Sequence, residues 1–245
     1  MNIGYFALSI MAVLIALAVH EYSHAYVAHK LGDDTAKNLG RLTLNPLKHL
    51  DPIGAICMLI FHVGWAKPVP INARNFKDPK KGFALTALAG PVINITLAFL
   101  FALIYKIMIV SLRDVPFVSE SFALRFWENL LLFVALFHYI NLGLGLFNLL
   151  PFPPFDGSRI LHVVLPPKVY FGIMKYERKI YLGVIAWLLL GDYVASFLRA
   201  IPVIAKSPLL STLAGVFSLS DMLGSVITAV SNLMLSFWEL FPFLR

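Results

Sequence analysis

Apolar residues run without a single Asp, Glu, Lys or Arg through residues 1–19, again through 82–105 and again through 129–155. A helix needs roughly 20 such residues to cross the hydrocarbon layer, so each run predicts a transmembrane helix. Two further apolar stretches predict a fourth and a fifth span. The fourth covers about residues 180–198 and is interrupted by Asp192; the fifth covers about residues 222–241, follows Asp221 and contains Glu239. Residues 53–63 are equally apolar but only about a dozen long, too short to cross, which fits a re-entrant or interfacial segment. On either side of it Arg41-Leu42-Thr43-Leu44 and, more weakly, Val69-Pro70-Ile71-Asn72 alternate polar with apolar, so short strands are expected there. The prolines of Asn45-Pro46, Asp51-Pro52 and Lys67-Pro68-Val69-Pro70 stop any long helix in this region. The predicted fold is an all-α polytopic membrane protein of about five spans, with a short strand or re-entrant segment between the first and second. Residues 1–245 form one membrane-embedded domain, with a core over 1–160 and accessory helices over about 180–245.

Composition sharpens this picture. With 59% hydrophobic and 13% charged residues and a mean hydropathy of +0.80, a soluble domain is excluded. The net charge of +7 points to no nucleic acid, because the basic residues are distributed by loop. Nine of the twenty fall within residues 30–81, five within 159–179 and three within 106–125. Positively charged loops stay in the cytoplasm, so the first and third loops are expected inside and the N-terminus outside. The opening apolar run lacks a basic start and a small-residue cleavage site, and reads as a retained span. The single cysteine, Cys57, excludes an intramolecular disulfide and a cysteine-based zinc site.

The chemistry lies at the end of the first span, in His20-Glu21-Tyr22-Ser23-His24. Residues four apart share a helix face, so His20 and His24 can offer two imidazole nitrogens to one Zn²⁺ while Glu21 reaches its water. The same pentapeptide arises by chance in ordinary helices. Here, however, three ionisable groups sit at membrane depth, where each costs about 2.5–3.5 kcal/mol on insertion scales. A catalytic zinc usually keeps three protein ligands and one open position. His29 lies five residues on from His24, turned away round the helix, and no glutamate occurs between Glu21 and Glu120. Asp156 is the best remaining ligand, presented after Pro151, Pro153 and Pro154 and before Gly157; its alternative role is to cap a helix starting at Ser158. Asn148 and Asn94 are candidate oxyanion donors in the third and second spans, or else interhelical hydrogen-bonding amides. His138 is expected to be packed or hydrogen-bonded, His49 to stay off the metal, and Trp65, Trp127 and Trp238 to be interfacial anchors.

At these residues the chain resembles the site-2 protease family of intramembrane metalloproteases. The resemblance rests on HEYSH at 20–24, GPVIN at 90–94 and NLLPFPPFDG at 148–157, with GRLTLNPLKHLDPIG at 40–54 and GWAKPVPIN at 64–72. It covers most of residues 1–160 and offers no motif beyond about residue 180. It implies one Zn²⁺ per chain held by His20, His24 and Asp156, with Glu21 catalytic, and a compact member without a PDZ or CBS module. The expected function is cleavage of peptide bonds within or near transmembrane segments, in regulated intramembrane proteolysis or signal-peptide remnant clearance. The expected partners are a transmembrane protein substrate and the bilayer, with no nucleic acid. The alternatives are a metal-binding transporter, which should place polar groups on several spans, and a catalytically silent scaffold, which should have lost Glu21 or a ligand.

Overall fold

In the computed structural model, which describes residues 3–61, 65–113, 115–116, 121–215 and 218–244, the first span is longer than its uncharged run. Helix α1 covers Ile3–Lys30, so the histidines stand within a continuous helix and not at its frayed end. The short α2 (Thr35–Asn38) and α3 (Pro52–Phe61) follow. Helix α4 (Pro79–Leu112) starts where Asp78 accepts a hydrogen bond from the Lys81 amide and Pro79 takes the first turn. Helix α5 (Phe122–Asn148) begins seven residues before the uncharged run, capped by Ser121 on the Leu124 amide, and ends before Pro151. Then come α6 (Asp156–Val164), α7 (Pro167–Met174), α8 (Glu177–Ala200), α9 (Pro202–Ala205), α10 (Pro208–Ala214) and α11 (Leu219–Trp238).

Among the described residues four helices, α1, α4, α5 and α11, are long and apolar enough to cross a membrane. Helix α8 qualifies as a fifth only if its halves, Glu177–Leu188 and Leu190–Ala200, count together across a 47° bend. The chain is thus an all-α polytopic membrane protein. The centre of the bundle is α1 against α4 and α5, where Ala12, Ala16 and Phe137 form a buried cluster. Alanines on α1 let the neighbouring backbones approach closely, which is how helices pack in lipid where the hydrophobic effect no longer discriminates.

The expected short strands are absent among the described residues; there is only an isolated antiparallel bridge between Leu50 and Ala66. Pro68 and Pro70 have no amide to donate to a ladder, and a buried arginine takes its place. Arg41 donates to the carbonyls of Lys67 (2.6 Å) and Pro68 (3.3 Å). Residues 53–61, expected as a re-entrant or interfacial segment, are helical as part of α3; His62 and Val63 lie outside the described residues.

A second buried ion fixes the other end of this loop. Asp33, fully buried just after α1, accepts from the amide of Asn72 (2.7 Å), the side chain of Asn75 (2.7 Å) and the amide of Thr35 (3.1 Å). Burial alone would raise its carboxyl; the hydrogen bonds from Thr35, Asn72 and Asn75 outweigh this and hold it below the usual carboxylate range. A depressed folded-state value stabilises above the unfolded value, about 3.8, and the contribution is lost as pH falls through the folded one. The difference in unfolding temperature between the parent and Asp33→Asn is therefore expected to be full at neutral pH and to shrink below about pH 3.8. A pH-independent difference would show that the charge is not engaged.

Candidate metal centre

His20 and His24 project from one face of α1 toward the first residue of α6. His20 Nε2 and His24 Nε2 each lie 3.2 Å from Asp156 Oδ2 and 3.0 Å from one another. Three ligand-type atoms from two elements 136 residues apart thus converge on one point, and all lie within 4.8 Å of one another. Asp156 does not cap α6: Phe155 is the capping residue, Ser158 turns its hydroxyl to the Phe155 carbonyl, and the Asp156 carboxylate is left for the histidines. As the first residue of that helix it sits where the dipole favours an anion.

Helix α4 sets the direction of both rings. His24 Nδ1 is 2.7 Å from the Thr86 carbonyl and His20 Nδ1 is 2.5 Å from Asn94 Oδ1. Both partners only accept, so each Nδ1 carries the proton and each Nε2 presents its lone pair inward, the arrangement that fixes tautomer and ring orientation in metal-ligating histidines. Asn94 is fixed in turn: its Nδ2 donates to Asn141 Oδ1 (2.7 Å) and the Ala16 carbonyl (3.4 Å), and Asn141 donates to Phe137 O. Gly90, one turn before Asn94, forms the floor. A Cβ built there would fall 2.5 Å from His24 Nε2 and 2.6 Å from His20 Nε2.

Glu21 is almost fully buried, with Oε2 accepting from the Val69 amide (3.2 Å). The loop held by Arg41 and Asp33 therefore ends up against the acid of the pentapeptide. The site opens into a cavity of about 670 Å³ walled by apolar side chains such as Leu17, Phe83 and Phe147, by Trp65, and by α8 through Tyr181 and Val184.

The structure brings His20, Glu21, His24, Asp156 and Asn148 to one cavity, with Asn94 immediately behind it. Asn94 has both ends of its amide engaged with other residues, so its bonds are those of a group that orients His20, not of a free oxyanion donor. Asn148 lines the cavity and uses one N–H on the Leu144 carbonyl. His29 pairs with Asp34 away from the site. His49 lies between Arg41 and the Thr43 carbonyl, and His138 between the Ala98 carbonyl and Ser231. Trp238, the last residue of α11, donates to the Phe99 carbonyl and packs on that ring. Sequence reading missed Asn141 and Thr86, and it picked out Gly90 within GPVIN without its place beneath the two histidines. Asn141, an amide inside an uncharged span, is a signal of the same kind as Asn94; Thr86 acts through its carbonyl, which no side-chain pattern reveals.

Known proteins similar to this chain carry names of zinc metalloproteases. YwhC of Bacillus subtilis, named as a candidate zinc metalloprotease, is 42% identical over 200 residues, covering 78% of this chain and 87% of its own. MJ0611 of Methanocaldococcus jannaschii, named likewise, is 31% identical over 65% of this chain and 72% of its own. Rip2 of Mycolicibacterium smegmatis, with the same kind of name, is 30% identical over 68% of this chain and 60% of its own. No solved structure matches the chain. The model of peptidase family M50 matches residues 8–191, which take in the histidine pair, the α4 residues behind it and Asp156. This membrane chain belongs to peptidase family M50, the site-2 proteases.

Proposed function

We propose that the chain is a zinc endopeptidase that hydrolyses peptide bonds within or near the transmembrane segments of other membrane proteins. The observation that carries this reading is the convergence of His20 Nε2, His24 Nε2 and Asp156 Oδ2 with both Nδ1 atoms already hydrogen-bonded. Two imidazoles and a carboxylate suit Zn²⁺, one ion per chain, and would hold it as the three protein ligands usual for a catalytic zinc. The names of the relatives support the choice of metal. When bound there, the ion supplies Lewis acidity toward a substrate carbonyl and a water molecule.

The protein's own groups do the rest. Glu21 Oε2 is held by the Val69 amide, which leaves Oε1 to accept a proton from the attacking water and to deliver it to the leaving amine. Asn148 has a second N–H for the developing oxyanion. Asn94, backed by Asn141, positions His20. Basic residues crowd the loops next to His24 and Asp156, so the site lies toward the cytoplasmic side with the N-terminus outside. A substrate helix is then cut near its cytoplasmic end. Membrane-bound regulators and signal-peptide remnants are the substrate classes that suit such a cut.

Metal content tests the ligand set. Purified parent protein is expected to hold close to one zinc per chain and Asp156→Ala close to none, with cleavage of a single-span substrate lost in parallel. Equal zinc in the two would remove Asp156 from the set.

A further inference from the structure

Helix α8 has the length of a span, but its contacts place both of its ends at one face of the bundle. Depth can be read from the side-chain contacts of α11. A Cβ at Gly143 of α5 would lie 3.3 Å from Ile227 Cδ1, Ser231 meets His138 (2.8 Å), Trp238 reaches the Phe99 carbonyl (3.1 Å), and Glu239 pairs with Lys106. Along α5 these contacts recede from the Asn148 end, and along α4 they advance toward the Leu112 end. Helix α11 therefore runs parallel to α4 and starts at the metal-site end of the bundle. Ser218 precedes Ile227 by nine residues, about 13 Å of helix, whereas Gly143 is only about 7 Å from the end of α5. The start of α11 thus lies level with, or beyond, that end.

The far half of α8 is fastened at this depth. Asp192 accepts from Ser218 (2.6 Å) and Ser220 (2.8 Å), and Arg199 pairs with Asp221 (2.7 Å). Its near end is fastened at the same face, where Glu177 pairs with Arg159 (2.6 Å), one turn after Asp156. A crossing helix would carry Asp192 about 22 Å from the level of Glu177, most of the way through the hydrocarbon. Between its two fastenings α8 instead passes over the cavity, with Tyr181, Val184, Ile185 and Leu188 facing in.

We infer that α8 does not cross the membrane: it lies across the mouth of the metal-site cavity, embedded in the bilayer interface on that side, so the chain crosses four times and the end of α11 emerges on the face opposite the site. The occupant of the outer side of α8 is the lipid interface. Leu190, Tyr193 and Phe197 stand exposed at 59%, 76% and 70%, and Arg178, Lys179 and Lys206 flank them, the combination of buried apolar side chains and cationic edge that holds a helix in a headgroup layer. The inference concerns the same cavity as the proposed activity but is read without zinc or cleavage.

Single cysteines in a Cys57→Ala background test it, at Lys77 as reference for the metal-site face, Arg113 as reference for the opposite face, and Lys206 and Phe243 as the unknowns. An impermeant maleimide, applied to intact cells and to inverted vesicles, is expected to label Lys206→Cys from the same side as Lys77→Cys, and Phe243→Cys from the same side as Arg113→Cys. Val203→Cys, on the same connection as Lys206, gives a second reading should one variant express poorly. Labelling of residue 206 or 203 together with residue 113 would mean that α8 crosses and would overturn the inference, as would labelling of residue 243 together with residue 77. The side of labelling is read even from a protein that proves to hold no metal, so failure of this topology and failure of the protease reading are separate results.

Discussion

Glu21→Gln is expected to abolish cleavage of a single-span membrane substrate while leaving the zinc content at the parent level. The two side chains are nearly isosteric, and a glutamine can still accept from the Val69 amide with its carbonyl oxygen, so the buried loop contact survives the change. What is lost is the capacity to take up and release a proton. General acid–base catalysis contributes about 10²–10⁴ in rate, and the same carboxylate serves both proton transfers, so the drop should fall at the upper end of that range. Cleavage is followed by the appearance of product fragments on co-expression, and metal by its ratio to protein. Residual activity within tenfold of the parent would remove Glu21 from the proton path. Loss of zinc with the activity would make it a structural support of the ligands instead.

The outcome separates roles that the sequence alone could only suggest. HEYSH was legible because its chemistry is local: a four-residue spacing on one helix sets two imidazoles on one face whatever surrounds them. Asp156 was legible through the prolines that end the third span and the inward direction expected of that span from the basic loops. The hydrophobic runs located the crossing helices, but their ends were misplaced by up to eleven residues: α1 continues through its charged residues to Lys30, and Ser121 and Asp78 cap helices that start before the apolar stretch. The strand expectation at residues 41–44 and 69–72 failed for a nonlocal reason. Alternation there serves Arg41, which is buried and bonded to carbonyls 26 and 27 residues away, and no period-two pattern distinguishes that from a ladder. The roles of Asn94 and Thr86 depend on α4 lying antiparallel to α1, a fact of packing that neither segment states by itself.

Gly90→Ala tests that packing most directly, and it is expected to cost the metal. The added methyl would occupy space 2.5 Å from His24 Nε2 and 2.6 Å from His20 Nε2, well inside van der Waals contact. The rings have little room to retreat, since their Nδ1 atoms are tied to Thr86 and Asn94 on the same helix that carries Gly90. Retreat would break a hydrogen bond that fixes the ligand tautomer, and losing such partners costs about 10–100-fold in metal affinity. Displacing both rings at once should exceed that range, taking cleavage to background. Helix propensity pushes the other way, because alanine is favoured over glycine in a helix interior by up to about 1 kcal/mol. The variant should therefore remain a folded, membrane-inserted protein with little zinc, a combination that general destabilisation does not produce. Gly172→Ala on α7, where an added Cβ meets nothing within 4 Å, is the matched control and should keep both metal and activity. Zinc is measured by competition with a chelator of known affinity and insertion by resistance to alkaline extraction. Parent-like affinity in Gly90→Ala would mean that His20 and His24 do not converge over this glycine when the metal is bound.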